Sequence, residues 1–276
     1  MTCTRPWLFK TEEGKIIELP CRRCMACRIS MAREWAIRME NESWYHNESM
    51  FLTLTYSDEN LPEDGSLDKI AVQKFLKRFR KRIYPKKVKY MYSGEYGDEE
   101  LRPHYHFIIF GWQPDFNDLY FIGQRGKRKY FSSKVINELW PFGNNYVGVV
   151  ESKSIAYVTR YVTKKLFGKK ADEVYGTRVR PFMHASHGIG LQYAMDNKEK
   201  IEESGVVMFG KNVGTPRYYF RKLKLDPIDS EERAFQREKA RRLRHYADLT
   251  DVQMHELVLS ARKQKEKNLD AKENLK

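Results

Sequence analysis

The sequence lacks any apolar run of the roughly 18–20 residues that a helix needs to cross a bilayer. Its first residues, Met1 to Trp7, contain no cationic stretch that leads into a long apolar segment, so no secretory signal is expected. A Gly-x4-Gly-Lys-Ser/Thr segment is also missing, which argues against a phosphate-binding loop of the Walker type. These absences predict a soluble, intracellular protein without a membrane partner.

Acidic residues are in deficit, with 37 Asp and Glu against 51 Lys and Arg in 276 residues, for a formal net charge of +14. Apolar residues still make up 41% of the chain and aromatic residues 13%, which is enough for a packed core and excludes wholesale disorder. The charge favours a polyanionic partner, nucleic acid first, although a merely basic surface would give the same total.

Cysteine is absent beyond residue 27. Its four occurrences, Cys3, Cys21, Cys24 and Cys27, crowd into the first tenth of the chain. Disulfide scaffolds usually spread their cysteines over the fold, whereas four neighbouring thiols suit tetrahedral zinc. The sequence therefore predicts a structural zinc site, with unligated thiols or an iron–sulfur cluster as the alternatives.

The hydrophobic periodicity after residue 50 predicts the order strand, helix, strand, strand, helix, strand and a further helix. The predicted strands are 51–56, 87–93, 104–110 and 145–150, and the predicted helices are 28–45, 68–83, 133–139 and 154–167. A basic hairpin is predicted at 118–131. The order is typical of an α+β fold, a ferredoxin-like split βαβ antiparallel sheet with its helices packed on one face.

The ends of the chain give weaker patterns. Residues 1–27 read as short and irregular, and 206–209 and 217–220 as strands or buried anchors. Charged helices are predicted at 228–246 and 250–268. We therefore expect a cysteine-rich N-terminal element with a helix at 1–45, a main domain at 46–225 and a charged helical tail at 226–276.

Two histidines share one face of a predicted strand. Residues 102–110 read Arg-Pro-His-Tyr-His-Phe-Ile-Ile-Phe, so His104 and His106 project together and the aromatic residues between and after them point into the core. Two neutral imidazoles form a chelate for a divalent ion, and a carboxylate as third ligand would suit Mg or Mn. Glu95 is the best candidate, because a hairpin that turns around 98–101 brings it opposite His104. The alternative is that the two histidines merely pack or form hydrogen bonds.

Two tyrosines share one face of the last predicted helix. Tyr157 and Tyr161 are four residues apart, and Lys164 and Lys165 continue or flank the same face. Tyrosine can act as a covalent nucleophile when nearby ammonium groups or a metal favour the phenolate. The alternative is an amphipathic helix whose tyrosines line a core.

A few further residues are candidates for contact with DNA. The loop of the basic hairpin combines positive charge with neighbouring aromatic residues, as nucleic-acid contacts do, although a plain basic loop would look the same. The candidates are Arg125, Lys127, Arg128 and Lys129, together with Arg160 on the last helix. His184 and His187 lie in a predicted loop, where solvated or phosphate-contacting histidines are more typical than metal ligands.

Taken together, these motifs resemble the replication initiation proteins of gokushoviruses, which are HUH-superfamily endonucleases of small single-stranded DNA phages. The resemblance covers about residues 1–225. Its pieces are the His-Tyr-His strand, the threonine-containing strand at 51–56, the two-tyrosine helix, and the segments 20–28, 94–97, 139–143, 187–190 and 216–219.

The resemblance implies a rolling-circle mechanism. One tyrosine would cleave the positive strand at the origin, stay joined to the 5′ phosphate and leave a 3′ hydroxyl to prime synthesis; the second would allow the strand to be closed into a circle. It implies that His104, His106 and Glu95 bind Mg or Mn, that Tyr157 and Tyr161 are the nucleophiles, and that Lys164 or Lys165 faces the phosphate. The implied partners are single-stranded and origin DNA and the host helicase and DNA polymerase, in the cytoplasm of a bacterial host. The alternatives are an HUH enzyme of a plasmid or transposon, or a non-catalytic DNA-binding protein of the same fold.

Overall fold

The computed structural model describes residues 3–12, 14, 16–97, 100–125, 128–164, 169–209 and 211–225, together with 253, 260 and 264. Within these ranges the side chains of 17, 125, 128, 161–164, 169, 170 and 211 are not described. The predicted tail at 226–276 lies outside the described residues, apart from the three isolated positions. The chain divides into two compact units, one of Met1–Glu34 with Asn197–Lys276 and one of Trp35–Asp196.

The described residues contain short strands and helices throughout. The strands are β1 (Trp7–Lys10), β2 (Ile16–Leu19), β3 (Ser49–Thr55), β4 (Lys89–Tyr96), β5 (Pro103–Phe110), β6 (Leu119–Arg125), β7 (Arg128–Ser133), β8 (Asn145–Gly148), β9 (Phe182–Ala185), β10 (Val207–Met208) and β11 (Lys211–Asn212). The helices are α1 (Met25–Ser43), α2 (Lys69–Arg82), α3 (Lys134–Leu139), α4 (Ser152–Lys164), α5 (Lys169–Tyr175), α6 (Leu191–Asp196), α7 (Lys198–Ser204) and α8 (Arg217–Leu223). None of the described helices combines the length and apolar character that a membrane span requires.

The larger sheet confirms the predicted fold class. The described strands form a seven-stranded sheet in the order β6-β7-β8-β3-β5-β4-β9, and each neighbouring pair is antiparallel. Its four central strands, β8-β3-β5-β4, have the order expected for a split βαβ sheet. The predicted basic hairpin is present as β6–β7, and it extends this sheet at one edge because β7 pairs with β8.

One face of the sheet is covered by α2 and α3, as predicted. The Asp68 carboxylate caps α2 by accepting hydrogen bonds from the backbone N–H groups of Ile70 and Ala71. The helix then buries Phe75 and Phe79 against the sheet. Complete burial of such a side chain stabilises the fold by about 1.5–3 kcal/mol.

The opposite face is also covered, so the expectation of helices on one face is wrong for the whole domain. Met39 of α1 and Ile155 and Val158 of α4 pack with Ile108 and Phe110 of β5. The reason is visible in β5, where residues on both faces are apolar and fully buried. A sheet that is apolar on both faces needs a layer on each.

The structure corrects the predictions for the chain ends. Residues 1–27 are not irregular throughout, because β1 and β2 form an antiparallel hairpin. The segment 217–220 is helical rather than a strand, and it supplies the buried anchor Tyr219 from α8. The strand β9 was missed because four residues at a sheet edge carry too little periodicity to read.

Candidate active site

The antiparallel register brings polar side chains of three strands to one place. His104 and His106 lie on the face of β5 that carries Ile108 and Phe110, since alternate residues of a strand share a face. On β4, Glu95 pairs directly with His104, as the predicted hairpin requires. On β3, Thr53 pairs with His106.

The two imidazoles and the carboxylate converge on one point. The Oε1 atom of Glu95 lies 3.2 Å from Nε2 of His104 and 2.5 Å from Nε2 of His106. The three ligand atoms all lie within 4.8 Å of one another. Glu95 is 5% exposed and His106 6%, whereas His104 is only half-buried, so the cluster is reached from the side of His104.

The far nitrogen of each imidazole is held by a hydrogen bond. His104 Nδ1 lies 3.0 Å from the backbone oxygen of Arg102, which can only accept, so Nδ1 carries the proton. His106 Nδ1 lies 2.9 Å from Thr53 Oγ1. With Nδ1 engaged on both rings, each Nε2 lone pair is left for the cluster, which is how proteins orient histidine ligands.

Thr53 is a functional residue that motif reading missed. Its hydroxyl fixes His106, yet the sequence shows only a strand of alternating apolar and threonine residues. That alternation predicts the face on which Thr53 lies but not the residue that it meets across the sheet.

The charge on Glu95 is stabilised by its neighbours. Burial alone would raise the pKa of this carboxyl, but hydrogen bonds from His104 and His106 outweigh burial, so the pKa lies below its ordinary value. The cluster therefore combines an anionic oxygen with two oriented nitrogens, a donor set that suits a divalent cation. The protein thus has a buried Glu-His-His triad that could bind a metal.

Helix α4 brings a tyrosine to this triad. The Tyr157 ring lies 5.1 Å from the His106 ring in an edge-to-face arrangement and 6.2 Å from the Phe51 ring. Tyr157 is 37% exposed, while Ile155 and Val158 on the opposite side of the helix are buried against the sheet. This packing explains the many β-branched residues of the helix and leaves the phenol at the border between core and solvent.

The other predicted catalytic residues are described less fully. Tyr161 and Lys164 belong to α4, with Tyr161 one turn beyond Tyr157, but their side chains lie outside the description, and Lys165 lies outside the described residues altogether. Arg160 is exposed, and its guanidinium carbon lies 5.7 Å from the centre of the Tyr157 ring. The structure thus brings together the triad, Tyr157 and Arg160.

The candidate DNA-contacting hairpin lies at the edge of the sheet. Arg125 and Arg128 end β6 and begin β7, with their side chains outside the description, and Lys127 lies outside the described residues. Lys129 and the aromatic ring of Phe121 are exposed on the strands.

His184 is not in a loop, as predicted, but on β9. This strand pairs with β4, and the His184 ring lies 5.6 Å from the Tyr92 ring. Tyr92 belongs to the core on the α2 side of the sheet, whereas Glu95 faces the triad, so the position of His184 gives it no part in the triad.

The four cysteines form a second cluster in the other compact unit. Their Sγ atoms all lie within 4.8 Å of one another, and each cysteine is free of a disulfide.

Comparison with known proteins gives three curated relatives and one family model. The family model describes replication-associated proteins of the ORF2 type and matches residues 49–166, which include the triad and Tyr157. The "Replication-associated protein VP4" of Bdellovibrio phage phiMH2K is 37% identical over 212 residues, covering 72% of this chain and 65% of the relative. The "Replication-associated protein ORF4" of Chlamydia phage 1 is 35% identical over 224 residues, covering 77% and 55%.

A third relative is covered slightly further. The "Replication-associated protein ORF2" of Spiroplasma virus 4 is 34% identical over 222 residues, covering 74% of this chain and 67% of the relative. The chain thus spans between about half and two thirds of the length of these relatives. No solved structure gives a significant match.

Proposed function

Because this chain belongs to the family of microvirus replication-associated proteins, we propose that it is a replication initiator that nicks single-stranded origin DNA of a phage through a tyrosine. The observation that carries the proposal is the Tyr157 ring beside His106 in a buried triad of Glu95, His104 and His106. A tyrosine next to two oriented imidazoles and a carboxylate suits attack on a phosphodiester.

The proposed reaction begins at the Tyr157 phenol. Its oxygen attacks the phosphorus in line, the bond from phosphorus to the 3′ oxygen breaks, and the DNA keeps a 5′ phosphate joined to the tyrosine. The phenol loses its proton to solvent, and the departing 3′ oxygen takes one up. Glu95, His104 and His106 would hold Mg or Mn, which supplies Lewis-acid polarisation of the phosphodiester.

Neighbouring residues prepare this attack. Thr53 and the Arg102 carbonyl hold the two imidazoles in register. The Arg160 guanidinium, on the same side of α4 as Tyr157, adds positive charge where phenolate and phosphate meet. The exposed edge of Tyr157 gives a DNA strand access to the phenol.

We assign the second cleavage to Tyr161, one helical turn further along α4. After one round of synthesis Tyr161 would attack the regenerated origin, and the released 3′ hydroxyl would displace Tyr157 from its 5′ phosphate, closing a circular strand. Lys164 or Lys165 faces the phosphate in this proposal, and the basic β6–β7 hairpin, with Arg125, Lys127, Arg128 and Lys129, tracks the DNA backbone.

We place this chemistry in the domain at 46–225 and the reaction in the cytoplasm of the bacterial host. The 3′ hydroxyl would be extended by a host DNA polymerase, and a host helicase would unwind the duplex.

The test is covalent capture of DNA by the protein. The full chain is incubated with 5′- and 3′-labelled single-stranded origin DNA and Mg or Mn, and adducts are resolved under denaturing conditions. We expect an adduct on the 5′ phosphate side only, reduced by Tyr157→Phe and abolished by Tyr157→Phe combined with Tyr161→Phe. His106→Ala should abolish cleavage while salt-sensitive DNA binding persists.

Tyr84→Phe is the matched control, because Tyr84 is 83% exposed and lies on the turn after α2. A full adduct in the double tyrosine variant would overturn the assigned nucleophiles. DNA binding without any adduct would favour a non-catalytic DNA-binding protein of the same fold. A plasmid or transposon gene neighbourhood, with no capsid gene beside this one, would overturn the phage assignment.

A further inference from the structure

The four cysteine sulfurs converge from both sides of a hairpin. Cys3 precedes β1, Cys21 and Cys24 follow β2, and Cys27 lies in the first turn of α1. Their Sγ atoms nevertheless all lie within 4.8 Å of one another. A ligand bound by all four would therefore close the hairpin at its base.

The spacing of the sulfurs matches one tetrahedral ion. Cys3 Sγ lies 3.9 Å from Cys24 Sγ, and Cys21 Sγ lies 4.0 Å from Cys27 Sγ. The two pairs share no sulfur, so they form opposite edges of one tetrahedron. Zn–S bonds of ~2.3 Å produce tetrahedral edges of about 3.8 Å.

The same distances disfavour the alternatives. A disulfide needs ~2.05 Å between its sulfurs, and the four cysteines are free. In a four-iron cluster each thiolate binds its own iron atom, so the sulfurs stand farther apart than around a single ion.

Backbone groups around the sulfurs favour thiolates. The N–H of Cys21 donates to Cys3 Sγ and the N–H of Cys24 donates to Cys21 Sγ, each over 3.3 Å. Cys24 and Cys27 also lie at the N-terminus of the 19-residue helix α1, where the helix dipole favours negative charge. Such hydrogen bonds from the surrounding chain support metal-bound ligands.

The hairpin closed by these cysteines has little apolar core of its own. Trp7 is 70% exposed and Leu8 71%, and every residue of β1 is exposed. An isolated two-stranded hairpin is at best marginally stable in water. Metal binding is the usual source of folding free energy for an element of this kind.

A cleft of about 350 Å³ lies against the cysteine cluster. Arg5, Trp7, Arg23 and Arg28 line it, beside Cys21 and Cys24, and none of the described lining residues is acidic. Guanidinium groups bind phosphate through paired hydrogen bonds, and an indole ring stacks on a nucleobase. The lining thus offers both halves of a nucleotide a partner.

We propose that Cys3, Cys21, Cys24 and Cys27 bind one structural Zn²⁺ ion, and that the cleft beside this ion holds one nucleotide of single-stranded DNA. The nucleotide part rests on the proposed function, whereas the zinc part stands on the sulfur geometry alone. The module would grip the DNA strand apart from the nicking triad, without sequence preference.

The metal is tested on the full chain by elemental analysis. We expect one zinc per chain, lost in Cys24→Ser and kept in His104→Ala, which changes the triad instead. Because Cys24→Ser also endangers folding of the element, wild-type protein exchanged with Co²⁺ provides a second measurement, in which the visible spectrum should be that of a tetrahedral tetrathiolate. Metal-free protein, zinc kept by Cys24→Ser, or a cobalt spectrum with fewer thiolates would overturn the zinc site.

The cleft is tested with fluorescent oligothymidine, which lacks an origin and needs no cleavage. We expect Trp7→Ala and Arg23→Gln each to weaken binding about tenfold. Trp7→Phe should keep most of the affinity because it preserves a stacking ring. Arg33→Gln is the matched control, since Arg33 is exposed on α1 outside the cleft. Equal affinities of the cleft variants and the control would refute the cleft as a nucleotide site.

The two proposals fail in different ways. If the nicking proposal is wrong, no adduct forms although zinc is bound and oligothymidine affinity depends on Trp7. If the cleft proposal is wrong, the adduct forms on origin DNA while Trp7→Ala and Arg23→Gln bind oligothymidine like wild type.

Discussion

Replacing Thr53 by valine tests whether the sheet orients the nicking triad. Valine keeps the shape and the β-branched character that suit β3 but removes the hydroxyl 2.9 Å from His106 Nδ1. The His106 ring then loses the partner that holds its Nδ1 and can adopt the other tautomer, which withdraws the Nε2 lone pair from the triad.

The expected magnitude follows from this geometry. His106 is 6% exposed, so the valine variant leaves its Nδ1 without that partner inside the protein. Loss of one such hydrogen bond costs about 1–3 kcal/mol. Loss of a group that orients a metal ligand typically lowers metal affinity by about 10–100-fold, which lies in the same range, so we expect the Mn²⁺ concentration for half-maximal adduct formation to rise by about 10–100-fold.

The assay is a titration of adduct formation with Mn²⁺ on single-stranded origin DNA. At saturating Mn²⁺ the Thr53→Val rate should recover most of the wild-type rate, because the phenol of Tyr157 is unchanged. Thr53→Ser, which restores a hydroxyl, should shift the titration back towards wild type. Thr55→Val is the control, since Thr55 Oγ1 donates to the Asn144 carbonyl over 3.4 Å and not to a histidine.

The reasoning would be refuted if Thr53→Val and Thr55→Val gave the same Mn²⁺ titration as wild type. It would also be refuted if Thr53→Val lowered the rate at saturating Mn²⁺ without moving the midpoint, because that result would indicate a structural defect and not a loss of ligand orientation.

Two further predictions concern the stability of the fold. Glu42, 2% exposed, accepts from Lys89 Nζ at 2.9 Å, and although burial opposes it, hydrogen bonds from Lys89 and His46 hold its pKa below the ordinary value. Glu42→Gln should therefore lower the free energy of unfolding by about 3 kcal/mol at neutral pH, against under about 1 kcal/mol for Glu48→Gln in the exposed pair with Lys86. The charged Glu42 stabilises the fold above the ordinary carboxyl pKa, so the deficit of Glu42→Gln should shrink as the pH falls through the lowered pKa in urea titrations, and a deficit independent of pH would contradict this. Gly143→Ala would place a Cβ 2.5 Å from the Ser57 backbone nitrogen and should cost about 1–3 kcal/mol, seen as a lower Tm; an unchanged Tm would contradict the close approach.

The central sheet could be predicted because its signals are local. Each of the four predicted strands corresponds to an observed strand within a few residues, and the order around β5 follows from connections that are short enough to form antiparallel neighbours. The second helical layer could not be predicted in the same way. Whether α4 turns back onto the sheet depends on packing of Ile155 and Val158 against Ile108, which is a contact between distant segments.

The order of residues along the chain is enough to say which side chains share a face of one element. The period of two puts His104 and His106 on one side of a strand, and the period of 3.6 puts Tyr157 and Tyr161 on one side of a helix, because these periods are properties of the backbone. What those faces meet depends on tertiary packing. Glu95 lies opposite His104, and the ring nitrogen of His106 meets Thr53, only because strand register and helix packing join segments that sequence separation keeps independent.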